Sequence, residues 1–143
     1  MREVQFTEIE ITMNNQPAPY HAHIYYALDN RVAAESLHLR LSQIKESGEI
    51  PQLLYVGQLR DCKVGPQPIP QFEIHFTHDV LPNILPITEA SGLTALVHPL
   101  TDDDLADHTT LGHWIGEPLT LDLTTLDPPG RNKGVARFAK SDF

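Results

Sequence analysis

Hydrophobic positions along this chain recur with two periods, and the periods divide it into strands and helices. YHAHIYYA (20–27) alternates as a strand does: Ala22, Ile24 and Tyr26 form one set, His21, His23 and Tyr25 the other. QLLYVGQLRD (52–61), QFEIHFT (71–77) and LTALVHP (93–99) read as three further strands. Over 30–47, Ala33, Leu37, Leu41 and Ile44 recur at helical spacing, with Asp29 expected as N-cap and Gly48 as the terminating glycine. A second helix is expected over 79–90: Pro82 is tolerable in its first turn, Pro86 must kink or shorten it, and Gly92 ends it. TDDDLAD (101–107) reads as a short helix capped by Thr101, with acids in its first turn. Residues 3–13 have the β-branched content of a short edge strand, and NNQPAP (14–19) and CKVGPQPIP (62–70) have the chemistry of loops.

From residue 20 to 99 the order is β-α-β-β-α-β. This predicts an α+β, ferredoxin-like fold: an antiparallel sheet with both helices on one face, strands 1 and 3 central and strand 4 beside strand 1. The apolar sets belong under the helices. His21, His23, His75 and His98, at the alternate positions, then share the open face. Strand 1 runs antiparallel to strands 3 and 4, and His21 and His23 come early in it while His75 and His98 come late in theirs. Face and position agree, so four imidazoles are expected to converge at one end of one sheet face. His38 falls on the polar side of the first helix and reads as solvated. His78 is a helix-start candidate, and His113 sits in loop-like sequence.

Composition narrows the classes. At 143 residues and 16.0 kDa the chain is one domain, expected over 1–125, followed by a flexible basic tail at 126–143. Residues 1–125 hold six Lys/Arg against seventeen Asp/Glu, and 126–143 hold four against two. The net charge of −9 argues against nucleic acid and anionic membrane as partners. No window approaches ~18 uncharged apolar residues, and MREVQF at the start lacks the apolar core of a secretory signal. One cysteine, Cys62, forbids an internal disulfide and fits a reducing, cytoplasmic setting. It also excludes thiolate zinc and iron–sulfur sites. The eight histidines, with carboxylates, suit non-haem Fe(II), Zn or Mn.

His21-Ala22-His23-Ile24-Tyr25-Tyr26, Gly65-Pro66-Gln67-Pro68 with Phe72-Glu73, Leu96-Val97-His98-Pro99-Leu100, Asp107-His108-Thr109 and Trp114-Ile115-Gly116 together resemble the DOPA 4,5-dioxygenase family over roughly residues 18–124. The resemblance implies a ferredoxin-like, dimeric protein with non-haem Fe(II) extradiol dioxygenase activity on DOPA-like or caffeate-like catechols. By position, His21, His23 and His98 match the family's motif histidines, and His108 its later Asp-His pair. The family's Gly-Pro-His-Pro appears here as Gly65-Pro66-Gln67-Pro68, a neutral amide for a histidine.

Extradiol cleavage needs a metal that holds the catechol beside dioxygen, a base for a catechol proton, and exclusion of water. The expected metal ligands are His23 and His98, with His21 and His75 beside them. His21 and His108 are the candidates for ligand or acid/base. Tyr25, Gln67 and Trp114 are candidate substrate contacts, and Arg60 or Lys63 a contact for a substrate carboxylate. A face bearing Tyr25 and Leu96 is too apolar to leave wet, so a homodimer is expected to cover it. Gln67 favours the alternative of a degenerate, non-catalytic ferredoxin-like dimer binding a metal or aromatic acid. A cupin also begins from HxH, but the helical period at 33–44 counts against it.

Overall fold

A strand that alternates histidine with apolar residues, β1 (Pro19–Tyr25), is the middle strand of a five-stranded antiparallel sheet. The computed structural model describes residues 18–127 and 138–139. After β1 come α1 (Arg31–Ser47), β2 (Leu53–Val56), β3 (Gln71–Thr77), α2 (Leu81–Ala90), β4 (Ala95–Pro99), α3 (Asp104–His108) and β5 (His113–Ile115). The strand order is β2-β3-β1-β4-β5, so the first four strands have the expected ferredoxin-like arrangement and β5 extends it beyond β4. The expected edge strand at 3–13 lies outside the described residues, as does most of the expected tail.

Alternation builds the core. Ala22, Ile24, Phe72, Ile74, Phe76, Ala95 and Val97 bury one sheet face under Leu37, Leu41 and Ile44 of α1 and Leu81, Ile84 and Leu85 of α2. Each such Leu, Ile or Phe stabilises the fold by ~1.5–3 kcal/mol relative to exposure. Ala34, not Ala33, completes the buried stripe of α1, and Gly48 ends that helix at φ +74°.

Several boundaries differ from the sequence expectation. The chain enters α1 through a tight turn at Leu28–Asn30, so Asn30 occupies the N-cap position and Asp29 does not; the Asn30 side chain instead accepts the Ala27 N–H at 2.7 Å. β2 stops at Val56, because its register with β3 shifts between Leu53 and Tyr55 and Gly57 then crosses close to the Glu73 carbonyl. Pairing with β3 resumes only at the Arg60–Gln71 bridge. Pro86 lies inside α2 without ending it, since Leu81, Ile84 and Leu85 before it and Thr88 after it are all buried. At α3 the cap is Asp103, which accepts the Ala106 N–H at 3.0 Å. Thr101 instead bonds the Asp107 carboxylate, tying α3 to the end of β4.

The histidine face is not open. α3 lies over His23 and His98, Trp114 of β5 stacks on Tyr25, Gly112 packs on Leu96, and Tyr55 and Phe138 lie against His75. Tyr25 and Leu96 are buried within one chain, so the apolar face that motivated a covering partner is already covered. Phe138 and Ala139, inside the segment read as a tail, touch this face. No helix among the described residues is long and apolar enough to cross a membrane.

Candidate metal centre

Strand register sets the histidines in rows. On β1, His21 is opposite His75 of β3 on one side and His98 of β4 on the other, giving a row of three imidazoles across three strands. His23, one pleat further on, is opposite Glu73 and Leu96. Asp103 caps α3, and the short helix delivers His108 onto the far side, its ring centroid 4.2 Å from that of His98. All five imidazoles are buried. His21, His23 and His98 each bring a ring nitrogen within 4.8 Å of the others, and a second group, His21, Glu73 and His75, meets the same limit.

The hydrogen bonds decide what each ring presents. His98 Nδ1 is 2.8 Å from the Pro99 carbonyl, and His108 Nδ1 is 2.8 Å from the Asp104 carbonyl. A carbonyl only accepts, so both Nδ1 atoms donate and both Nε2 atoms keep a lone pair. His23 Nδ1 meets Oε1 of Gln71 at 3.1 Å with the same consequence, and His21 Nδ1 faces the Glu73 carboxylate at 3.6 Å. Imidazoles whose Nδ1 is held by an oxygen present Nε2, as metal-ligating histidines do. Nε2 of His23 and Nε2 of His98 stand 2.9 Å apart. Burial lowers the His23 pKa to about 4, with Glu73 opposing, so the ring is neutral and able to ligate at neutral pH. The donor set therefore fits a divalent transition metal at His21, His23 and His98.

His75 is turned the other way. Its Nδ1 accepts the Ala139 N–H at 2.8 Å, which puts the proton on Nε2, 3.3 Å from Glu73. His75 therefore shares the row but holds its proton toward Glu73, the carboxylate that also faces His21.

A cavity of about 220 Å³ adjoins these rings, lined by His21, His23, Gln67, His98, Asp104 and His108, with Gly65, Pro66 and residues 125–127 around it. A larger cleft, about 580 Å³, lies between α1 and α2 on the opposite face and has Arg40 as its one charged lining residue. Of the residues expected to contact substrate, Gln67 lines the histidine cavity, while Tyr25 and Trp114 stand behind it. The Tyr25 hydroxyl donates to Oε1 of Gln67, burial pushes the Tyr25 phenol up, and Trp114 stacks on its ring at 5.8 Å. Arg60 and Lys63 are not among the lining residues, and Arg60 is engaged through its backbone with Gln71. His113 opens β5 opposite Val97, outside the cavity lining. His38 is not solvated: half-buried, it donates from Nε2 to the Gly57 carbonyl at 2.9 Å and rests edge-on against Phe72.

Three contributors went unassigned in the sequence. Gln71 and Glu73 lie on the histidine face by the same alternation as His75, and Asp104 lies one helical turn before His108. Alternation alone could have placed the first two as supports for the β1 histidines.

Residues 20–125 match the model of the Dopa 4,5-dioxygenase family. The chain is 26% identical over 125 residues to DOPA 4,5-dioxygenase of Amanita muscaria, covering 84% of this chain and 54% of that protein. It is 30% identical over 117 residues to a 21.2 kDa protein of Botryotinia fuckeliana, covering 75% of this chain and 62% of that one. The chain thus spans less than two thirds of either curated relative. A crystal structure of a candidate dioxygenase from Nostoc punctiforme superposes with a TM-score of 0.63 at 25% identity, covering 85% of this chain and 96% of the other.

Proposed function

Because this chain belongs to the Dopa 4,5-dioxygenase family, we propose that it is a metal-dependent extradiol dioxygenase, opening a catechol ring beside its diol with both atoms of dioxygen entering the product. The observation that carries this reading is the approach of His23 Nε2 to His98 Nε2, with His21 completing a buried three-imidazole set beside a cavity. Fe(II) is the metal we propose, and His21, His23 and His98 would hold it; Zn and Mn are the other ions such donors accept. Bound there, it would supply Lewis acidity toward the catechol oxygens and the redox chemistry that dioxygen requires.

The remaining work falls to this chain's own side chains. His108 lines the cavity with its Nδ1 donating to the Asp104 carbonyl, leaving the Nε2 lone pair to take a catechol proton. The Glu73 carboxylate lies 3.6 Å from His21 Nδ1 and 3.3 Å from His75 Nε2, a placement that supports His21 presenting Nε2 as a ligand. Gly65, Pro66 and Leu126 wall the cavity and limit bulk water. At about 220 Å³ the space is below the roughly 300–1,000 Å³ of sites for drug-sized ligands, which favours a single-ring catechol of DOPA-like or caffeate-like size.

The test is an oxygen electrode. Fe(II)-loaded protein with DOPA, caffeate and catechol should consume dioxygen in equimolar amount with at least one of them as its ring opens. Full iron loading with no uptake on any catechol contradicts the proposal. Gln67, standing where the family motif has histidine, favours a second reading, a non-catalytic binder of metal and aromatic acid. That reading predicts catechol binding without oxygen uptake.

A further inference from the structure

We infer that Gln67 is a substrate-binding residue whose side-chain amide, anchored by Tyr25, donates a hydrogen bond to a catechol oxygen in the histidine cavity. The inference rests on the catechol reading of the site given above.

Gln67 is 1% exposed and lines the cavity together with His21, His23, His98 and His108. Its position is fixed twice. The backbone N–H donates to the Val64 carbonyl at 2.9 Å across a turn in which Gly65 takes φ +54°. The side-chain Oε1 accepts the Tyr25 hydroxyl, and Tyr25 is itself clamped by the Trp114 ring. With Oε1 held, the orientation of the amide is set and Nε2 is the end left over. Among the described residues Nε2 has no hydrogen-bond partner. A buried N–H donor without an acceptor loses its hydration with nothing in return, so such an atom beside a cavity points to an acceptor that arrives with the ligand.

The other polar groups around the cavity suit an incoming oxygen less well. Asp104 is a carboxylate already receiving the Asp127 N–H at 3.1 Å, and the Thr125 hydroxyl donates to the Asp122 carbonyl. His23, His98 and His108 direct their Nδ1 atoms away, to oxygen acceptors. Gln67 brings a donor to a wall otherwise built of acceptors. A neutral amide can hold a catechol oxygen but cannot take its proton. Binding by Gln67 therefore favours the ionised oxygen and leaves proton transfer to another residue, a division of labour that a histidine at this position would not enforce.

The experiment titrates 4-nitrocatechol, whose absorption reports its ionisation, onto Zn(II)-loaded protein, where the redox-inert metal prevents turnover. Gln67→Met keeps the length of the side chain and removes the donor. It should weaken binding about tenfold and move ionisation of the bound probe to higher pH, with zinc stoichiometry unchanged. Gln67→Asn, which retains an amide but withdraws it by one methylene, should weaken binding in the same direction. Tyr25→Phe should weaken it less, because it removes only the anchor. If either Gln67 variant folds and binds within about twofold of wild type with an unchanged probe spectrum, the role of Gln67 is overturned while the catechol site stands. If zinc-loaded wild type fails to bind 4-nitrocatechol, the catechol reading falls, and this inference with it.

Discussion

His23 and His98 face each other through Nε2 atoms 2.9 Å apart while each directs Nδ1 at an oxygen, Oε1 of Gln71 for one and the Pro99 carbonyl for the other. Two lone pairs aimed at one another repel unless a cation lies between them. A proton can do this, but burial of His23 works against taking one at neutral pH. A divalent metal does it without that penalty, and His21 lies within reach to join. The polarity of these hydrogen bonds, more than the number of histidines, is what fits the face to a metal.

Burial of His23 predicts a pH dependence with a definite sign. Its folded pKa of about 4 lies below the ordinary 6.5. As pH falls below about 6.5 the unfolded chain takes up a proton that the folded protein refuses. The metal-free protein should therefore lose stability between about pH 6.5 and 4, and lose no more from this group below that. The loss attributable to a fully buried imidazole is on the order of 3 kcal/mol. It is measured as the difference in urea midpoints between wild type and His23→Gln across that window. Parallel curves would contradict the assignment.

Gln71 should act on the metal without touching it. Gln71→Leu removes the acceptor that orients His23, and affinity should fall about 10–100-fold, read by competition with a chromogenic chelator. An unchanged affinity would mean that His23 needs no such support.

His38→Ala separates structure from chemistry. The variant loses the bond to the Gly57 carbonyl and the edge contact with Phe72, so it should be destabilised by about 1–3 kcal/mol in denaturant melts. Its metal affinity should match wild type, because His38 belongs to the opposite face of the sheet.

Alternation made the central sheet and the convergence of His21, His23, His75 and His98 legible, since strand faces follow directly from sequence period. It did not reveal that the face is covered. That depends on β5, a three-residue strand too short to show a period, and on α3, whose docking is set by the Thr101–Asp107 bonds. His38 departs from its expected solvated position for a related reason: helical period puts it on the polar side, but the Gly57 carbonyl comes to meet it from a loop. The orientation of His75, decided by the backbone of Ala139 sixty-four residues away, has no local signature.

The most direct test of the central claim is Fe(II) binding by anaerobic calorimetry in wild type, His23→Ala, His98→Ala and His38→Ala. One iron per chain is predicted for wild type and His38→Ala, with binding lost in His23→Ala and in His98→Ala. Stoichiometric iron retained in both of those variants would contradict a centre built on His21, His23 and His98.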